Sequence, residues 1–253
     1  MLSRSLRITQ RTTIPSLVRT YYSTDHINSN VIVNESTIDS QILNQSIKYI
    51  PEYGFNSKCI TKAIHDLKYP DSLHSVITMK GKDPALVLIL YWLRLQRAKL
   101  EKYVNDPETS KSFHELTDEY QRLSHLIKVR LSYNVPVLGK LHEGLSQLVV
   151  PFNLSDGMNE IYELSDDLAF YAGDKSNDFS WYSKRLGVST IYVSSELYML
   201  NDKTRGFENT RKFVDDKVAD LKKLGNGYND VEQWLAFNGI SLINLIKSQL
   251  TRG

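Results

Sequence analysis

The chain has 253 residues, 41% hydrophobic and 24% charged, an ordinary globular usage that supports one sizeable core and excludes a fibrous or wholly disordered polymer. Its longest uninterrupted apolar run, Ala85 to Leu93, ends at Arg94, far short of the roughly 18 to 20 residues that span a bilayer, and a lone Cys59 closes no intrachain disulfide. The net charge of +2 comes from the N-terminus: taking Arg4, Arg7, Arg11 and Arg19 from 31 basic side chains against 29 acidic ones leaves −2, so a basic, nucleic-acid-seeking body is not supported.

Residues 1–23 hold those four arginines and a run of Ser and Thr, with no acid before Asp25. That is a mitochondrial presequence composition, and removal is expected near Tyr21 to Ser23. Residues 24–38 are polar, lack a helical period, and read as a flexible lead-in. From about residue 39 the apolar spacing follows 3.6 and almost never 2, with Gly, Pro, Asp and Ser where caps and breaks belong. The class is all-α.

The spacing predicts a first helix from Asp39 to Tyr53, ended by Gly54, and a second from Ser57 to Tyr69. A short third carries Leu73, Val76 and Ile77 and stops at Gly81. Asp83 as cap and Pro84 at the first helical position open a long fourth helix over Ala85 to Val104. Ser112 with Glu115 forms a capping box for the next, which ends before Pro136. Further helices are expected over Val137 to Val150, Ser155 to Ala172, Asp178 to Leu200 and Phe207 to Leu224. Past Gly225 and Gly227 a terminal helix spans Asn229 to Leu250. Three parts follow: a helix-turn-helix-like segment at 39–82, a body at 83–224, and an amphipathic helix at 229–251.

Short helices followed by a long one resemble the layout of TetR-type repressors. The segment in the recognition position, Asp71 to Met79, offers Asp71, Ser72, His74 and Ser75 but no Arg or Lys, so it lacks the groups that reach phosphates and base edges. Enzyme motifs are equally scarce. None of His26, His65, His74, His114, His125 or His142 has Glu three residues before it, as a di-iron bundle would need. No Gly-rich phosphate loop, Gly-x-Ser-x-Gly or His-Glu-x-x-His occurs. Asp166 and Asp167 point about 100 degrees apart on a helix and read as capping or solvating that turn. No metal or catalytic residue is assigned.

What stands out is excess apolar surface. On the helix from Asp178, one stripe of Phe179, Tyr182, Leu186, Val193, Leu197 and Leu200 reads as the buried face. A second, of Trp181, Val188, Tyr192 and Met199, lies nearly opposite and reads as sandwiched against another layer or a partner. The terminal helix is apolar over most of its circumference, with Trp234, Leu235, Leu242, Leu245 and Ile246. It reads as membrane- or lipid-engaging, and a hinged helix of this kind also suits closure of a hydrophobic cavity.

The block "YAGDKSNDFSWYSKR", Tyr171 to Arg185, resembles the motif of the mitochondrial ubiquinone-biosynthesis accessory protein family, the lipid-binding partner of the demethoxyubiquinone hydroxylase. "IPEYGF" (Ile50 to Phe55), "GKDPALVL" (Gly81 to Leu88) and "LVVPFNL" (Leu148 to Leu154) extend the resemblance across roughly residues 40 to 224. It implies a TetR-like bundle of about nine helices plus the C-terminal amphipathic helix, without DNA binding. It further implies a homodimer, no catalysis and no cofactor, a cavity for isoprenoid quinone intermediates, and a peripheral position on the matrix side of the mitochondrial inner membrane. The partner patch it implies is Leu168, Tyr171, Asp178, Trp181, Tyr182 and Arg185, facing the di-iron hydroxylase and the rest of the biosynthetic complex. The alternatives are a purely structural adaptor of that complex and a TetR-like nucleic-acid binder.

Overall fold

The computed structural model describes residues 37–78, 81–175, 179–224 and 238. The presequence, the lead-in before Thr37, Asp178 and the terminal helix with Trp234, Leu235, Leu242, Leu245 and Ile246 lie outside them. The described residues form helices joined by turns, with no strand among them. The fold is all-α, and its arrangement is consistent with a TetR-like bundle.

The first predicted helix is two. Helix α1 (Ile38–Ile47) starts where the Thr37 hydroxyl accepts from the Ser40 N–H, and the chain restarts as α2 (Ile50–Tyr53). Pro51 is the cause: it has no N–H to donate and its ring excludes the carbonyl four residues back, so it is tolerated only in a first turn. Helix α3 (Ser57–Asp66) is capped by Asn56 and stops short of Tyr69 because Lys68 turns to a φ of 56°. Helix α4 (Leu73–Ile77) has five residues. Asp83 caps α5 (Pro84–Asn105) as its sequence predicts, accepting from the Ala85 N–H at 2.7 Å.

The Ser112–Glu115 box does not open the next helix. Ser112 lies inside the four-residue α6 (Lys111–His114), whereas Asp118, in extended conformation, caps α7 (Glu119–Ser132) through the Gln121 N–H. After a 3-10 turn at Val135–Val137 come α8 (Leu138–Leu148), α9 (Leu154–Ala172), α10 (Phe179–Asn201) and α11 (Glu208–Leu224).

These helices bury two apolar clusters. The first joins α1, α3, α8 and the N-terminal part of α5 through Ile42, Ile60, Ile64, Ile89 and Leu141. The second joins α7, α9, α10 and α11 through Leu126, Ile127, Leu164, Val188 and Val214. Their placement divides the first α10 stripe, in which Leu197 is buried, and sets the second between core layers, one of its two expected readings. Trp181, Val188, Tyr192 and Met199 are buried, while Tyr182 and Leu186 are exposed. The reason is that α10 packs mainly on α9 and α11, and both meet the Trp181–Met199 side.

Candidate functional site

The other side of α10 faces a cavity. It measures about 1630 Å³ and lies between the two clusters, walled by Leu138, Leu145 and Leu148 of α8, Ile161 and Leu164 of α9, and Leu186, Val193, Leu197 and Leu200 of α10. The stripe assigned to the core is thus a cavity wall. Its apolar side chains leave room because α8 and α10 touch only lightly, whereas α8 is drawn tightly onto α5: a Cβ on Gly144 would lie 2.8 Å from Ile89 and 2.9 Å from Phe55.

Five charged side chains also line the cavity: Arg97, Arg130, Glu143, Glu160 and Glu196. Arg97 donates to Asp167 at 2.8 Å and also pairs with Glu163. Glu160 pairs with Arg94 at 2.5 Å. Burial raises the pKa of Glu160, with Arg94 and Arg97 opposing, and burial likewise raises that of Glu196. Asp166 and Asp167 therefore do more than solvate a turn. As neighbours on a helix they diverge, and Asp166 reaches Arg185 on α10 while Asp167 reaches Arg97 on α5.

The motif at Tyr171 to Arg185 forms the corner between α9 and α10. Gly173, at a φ of 95°, ends α9 in the left-handed region that favours glycine. Asp174, its carboxylate fully buried, then receives Lys184 and Arg185, each at 2.7 Å. Burial opposes the charge of Lys184, but Asp174 and Glu119 outweigh it and its pKa is raised. The Arg185 guanidinium lies 3.8 Å from the centre of the Trp181 ring and donates to Asp166 at 2.6 Å.

Of the implied partner patch, Leu168 is fully buried in the second core, and Trp181 and Arg185 are buried at the corner. Tyr171 is half-buried, and burial pushes its pKa well above the usual tyrosine range. Among the described residues of the patch, Tyr182, 57% exposed, presents the most open face. Beside it lie Tyr162, Met158, Leu154 and Phe152, the last 94% exposed, a surface not identified from sequence, together with Leu186, which periodicity predicts to be buried. Tyr162 and Tyr182 both touch the Trp181 ring, while Leu154, Met158 and Leu186 also line the cavity. The strip is therefore continuous with the cavity mouth. The signal was "VVPF" at a helix junction, where polar residues are the norm.

The remaining candidates are structural. Cys59 is buried, its thiol donating to the Gly54 carbonyl, and burial pushes its pKa up. The His125 ring meets the Tyr103 hydroxyl at 2.9 Å, and burial lowers its pKa. No described helix is long and apolar enough to cross a membrane. Among the described residues no cluster of His, Cys, Asp and Glu is placed to hold a metal ion.

The class the fold defines is an all-α bundle with a large apolar cavity opening on an exposed aromatic strip. The sequence profile of the COQ9 family matches residues 154–225, the stretch that builds the mouth, the corner and helices α9 to α11. The mitochondrial ubiquinone biosynthesis protein COQ9 of Saccharomyces cerevisiae is 34% identical over 218 residues, covering 81% of this chain and 81% of that protein. The probable mitochondrial ubiquinone biosynthesis protein coq9 of Dictyostelium discoideum is 32% identical, covering 82% of this chain and 67% of its own. COQ9 of Homo sapiens is 25% identical, covering 79% and 62%. The chain belongs to the COQ9 family of mitochondrial ubiquinone-biosynthesis proteins.

Proposed function

We propose that the chain serves ubiquinone biosynthesis as a non-catalytic lipid carrier: it shelters an isoprenoid quinone intermediate and presents it, at the matrix face of the inner membrane, to the di-iron hydroxylase that acts on demethoxyubiquinone. The observation that carries this reading is the cavity of about 1630 Å³, with walls of Leu, Ile and Val. A polyprenyl tail gains about 0.8 kcal/mol per methylene removed from water, and no soluble active site receives its head group unless something shields the tail.

The strip at the mouth supplies the second half of the reading. Phe152, Met158, Tyr162, Tyr182 and Leu186 expose aromatic and flexible apolar side chains, the types that anchor protein interfaces. They lie where a sheltered ligand would enter or leave. In the same reading the segment after Leu224, with Trp234 and Leu235, engages the membrane, and two copies pair as a homodimer.

The test is mass spectrometry of lipids that copurify with residues 24–253 from a heterologous host, beside a denatured control. Enriched isoprenoid or quinone species are expected. A folded but lipid-free protein would replace the carrier with a structural adaptor that recruits the hydroxylase through its exposed strip.

A further inference from the structure

The cavity has a polar point on its wall, where Glu196 feels the charge of Arg130 but does not use its hydrogen-bonding edge. Arg130, on α7, is fully buried and lines the cavity. Its guanidinium carbon lies 5.4 Å from the centre of the Trp92 ring and 5.5 Å from that of Tyr192, so it bridges the first core to the second. Nη1 donates to the Asn134 side-chain oxygen at 2.8 Å. Nε and Nη2 have no hydrogen-bond partner among the described residues.

Those two atoms are a matched pair. In a guanidinium, Nε–H and one N–H of Nη2 project in parallel from a single edge, the fork that grips a carboxylate or another pair of oxygens side-on. Arginine does not discharge itself by losing a proton, and interiors seldom leave such donors unmet, because an unmet donor forfeits the hydrogen bonds that water gave it. The surroundings hold the fork still without filling it. Asn134 and Tyr192 spend their donors on Glu196 Oε1, at 2.7 Å and 2.9 Å, and Asn134 positions Nη1. Glu196 also lines the cavity.

We propose that the Nε–Nη2 edge of Arg130 is the head site of the cavity, binding two neighbouring oxygens of an amphipathic ligand, either a carboxylate or the adjacent oxygens of a ring. The inference rests on the carrier reading and adds to it a polarity: the oxygenated head lies against Arg130, between Trp92 and Tyr192, and the tail runs along Val193 and Leu186 towards the rim. Glu196 and Leu186 are ten residues apart on one helix, a span of about 15 Å, room for a ring and the first units of a branched tail.

Three probes separate the possibilities in equilibrium binding to the full chain: oleate for the carboxylate source, decylubiquinone for the ring source, and 1-dodecene, which has no oxygen. The wild type is expected to bind oleate or decylubiquinone at least about tenfold more tightly than 1-dodecene, and whichever is preferred names the source. Arg130→Lys keeps the charge and removes the fork, so about tenfold of that preference is lost while 1-dodecene binding stands. If the wild type binds 1-dodecene but shows no preference, or Arg130→Lys keeps it, the head site is wrong and the carrier reading survives. If no probe binds, the carrier reading falls and the head site with it. Should Arg130→Lys fail to fold, nitrogen-15 spectra of the wild type decide: an arginine Nε–H resonance must shift with the preferred probe and not with 1-dodecene, and its staying still overturns the proposal.

Discussion

Trp181 and Tyr182 are adjacent, yet they do different work. Trp181 is covered by Arg185 and flanked by Tyr162, so Trp181→Lys would bury an ammonium at the corner and harm the fold as well as any surface. Tyr182 is the cleaner probe. Because its ring is exposed, Tyr182→Ser should leave the melting temperature within about 2 °C, since surface changes cost about 0.5 kcal/mol or less. Binding to the hydroxylase, read by pull-down or surface plasmon resonance, should weaken at least about fivefold; unchanged binding would remove Tyr182 from the interface. Asp174 predicts the opposite pattern. Its buried carboxylate is shared by Lys184 and Arg185, and Asp174→Asn takes one charged acceptor from each, leaving Lys184 with Glu119 and Arg185 with Asp166. About 2 to 4 kcal/mol of stability should be lost, a fall of roughly 5 to 15 °C in melting temperature, measured by calorimetry. The sequence presented Asp174 inside its most specific block, but a lone acid between two helices does not announce which cations will fold back onto it.

At the scale of helices, periodicity located nearly every element, and it failed where a competing local rule was stronger. Pro51 split the first helix, Asp118 outcompeted Ser112 as a cap, and the first apolar stripe of α10 proved part core and part cavity wall because period alone does not say which face meets α9 and which meets open space. The start of α11 carries a test of capping by pH. Asp202 accepts from the backbone N–H and the hydroxyl of both Thr204 and Thr210. Burial pulls its pKa up, but these hydrogen bonds outweigh burial and hold it below the usual carboxylate range. A depressed folded pKa gives stability that is fully present above the unfolded value near ~4 and is lost as pH falls below it. Asp202→Ala should therefore lower stability at pH 7 by about 1 kcal/mol. The difference from wild type should shrink as the pH falls below ~4, where the unfolded carboxyl takes up its proton and the folded one still resists. Denaturant titration at several pH values checks both points, and a difference that persists undiminished in acid would show that Asp202 acts by packing. Helix packing has its own test at Gly144, where α8 meets Ile89 of α5 and Phe55. Gly144→Ala should cost about 1 to 3 kcal/mol by overpacking, read as a lower denaturation midpoint with the slope unchanged.

At the scale of the whole molecule, surplus apolar surface was legible in the helical periodicity, whereas a cavity was suggested by the terminal helix and the family resemblance without any of its walls being assigned. A cavity is made by residues far apart in the chain, here on α8, α9 and α10, and its existence depends on those helices failing to close rather than on any one of them. That also makes it testable by filling. Val193 is half-buried on the cavity wall at the edge of the second core, so a larger side chain there has open space to grow into. Val193→Trp should keep or slightly raise the melting temperature, as cavity-filling changes commonly add about 0.5 to 2 kcal/mol. Copurifying isoprenoid lipid should fall at least about fivefold, while binding of the hydroxylase to Tyr182 and its neighbours stays within about twofold. That pattern separates carrying from docking: retained lipid at full occupancy would place the ligand elsewhere in the molecule, and lost docking would mean that the mouth is shaped by what the cavity holds.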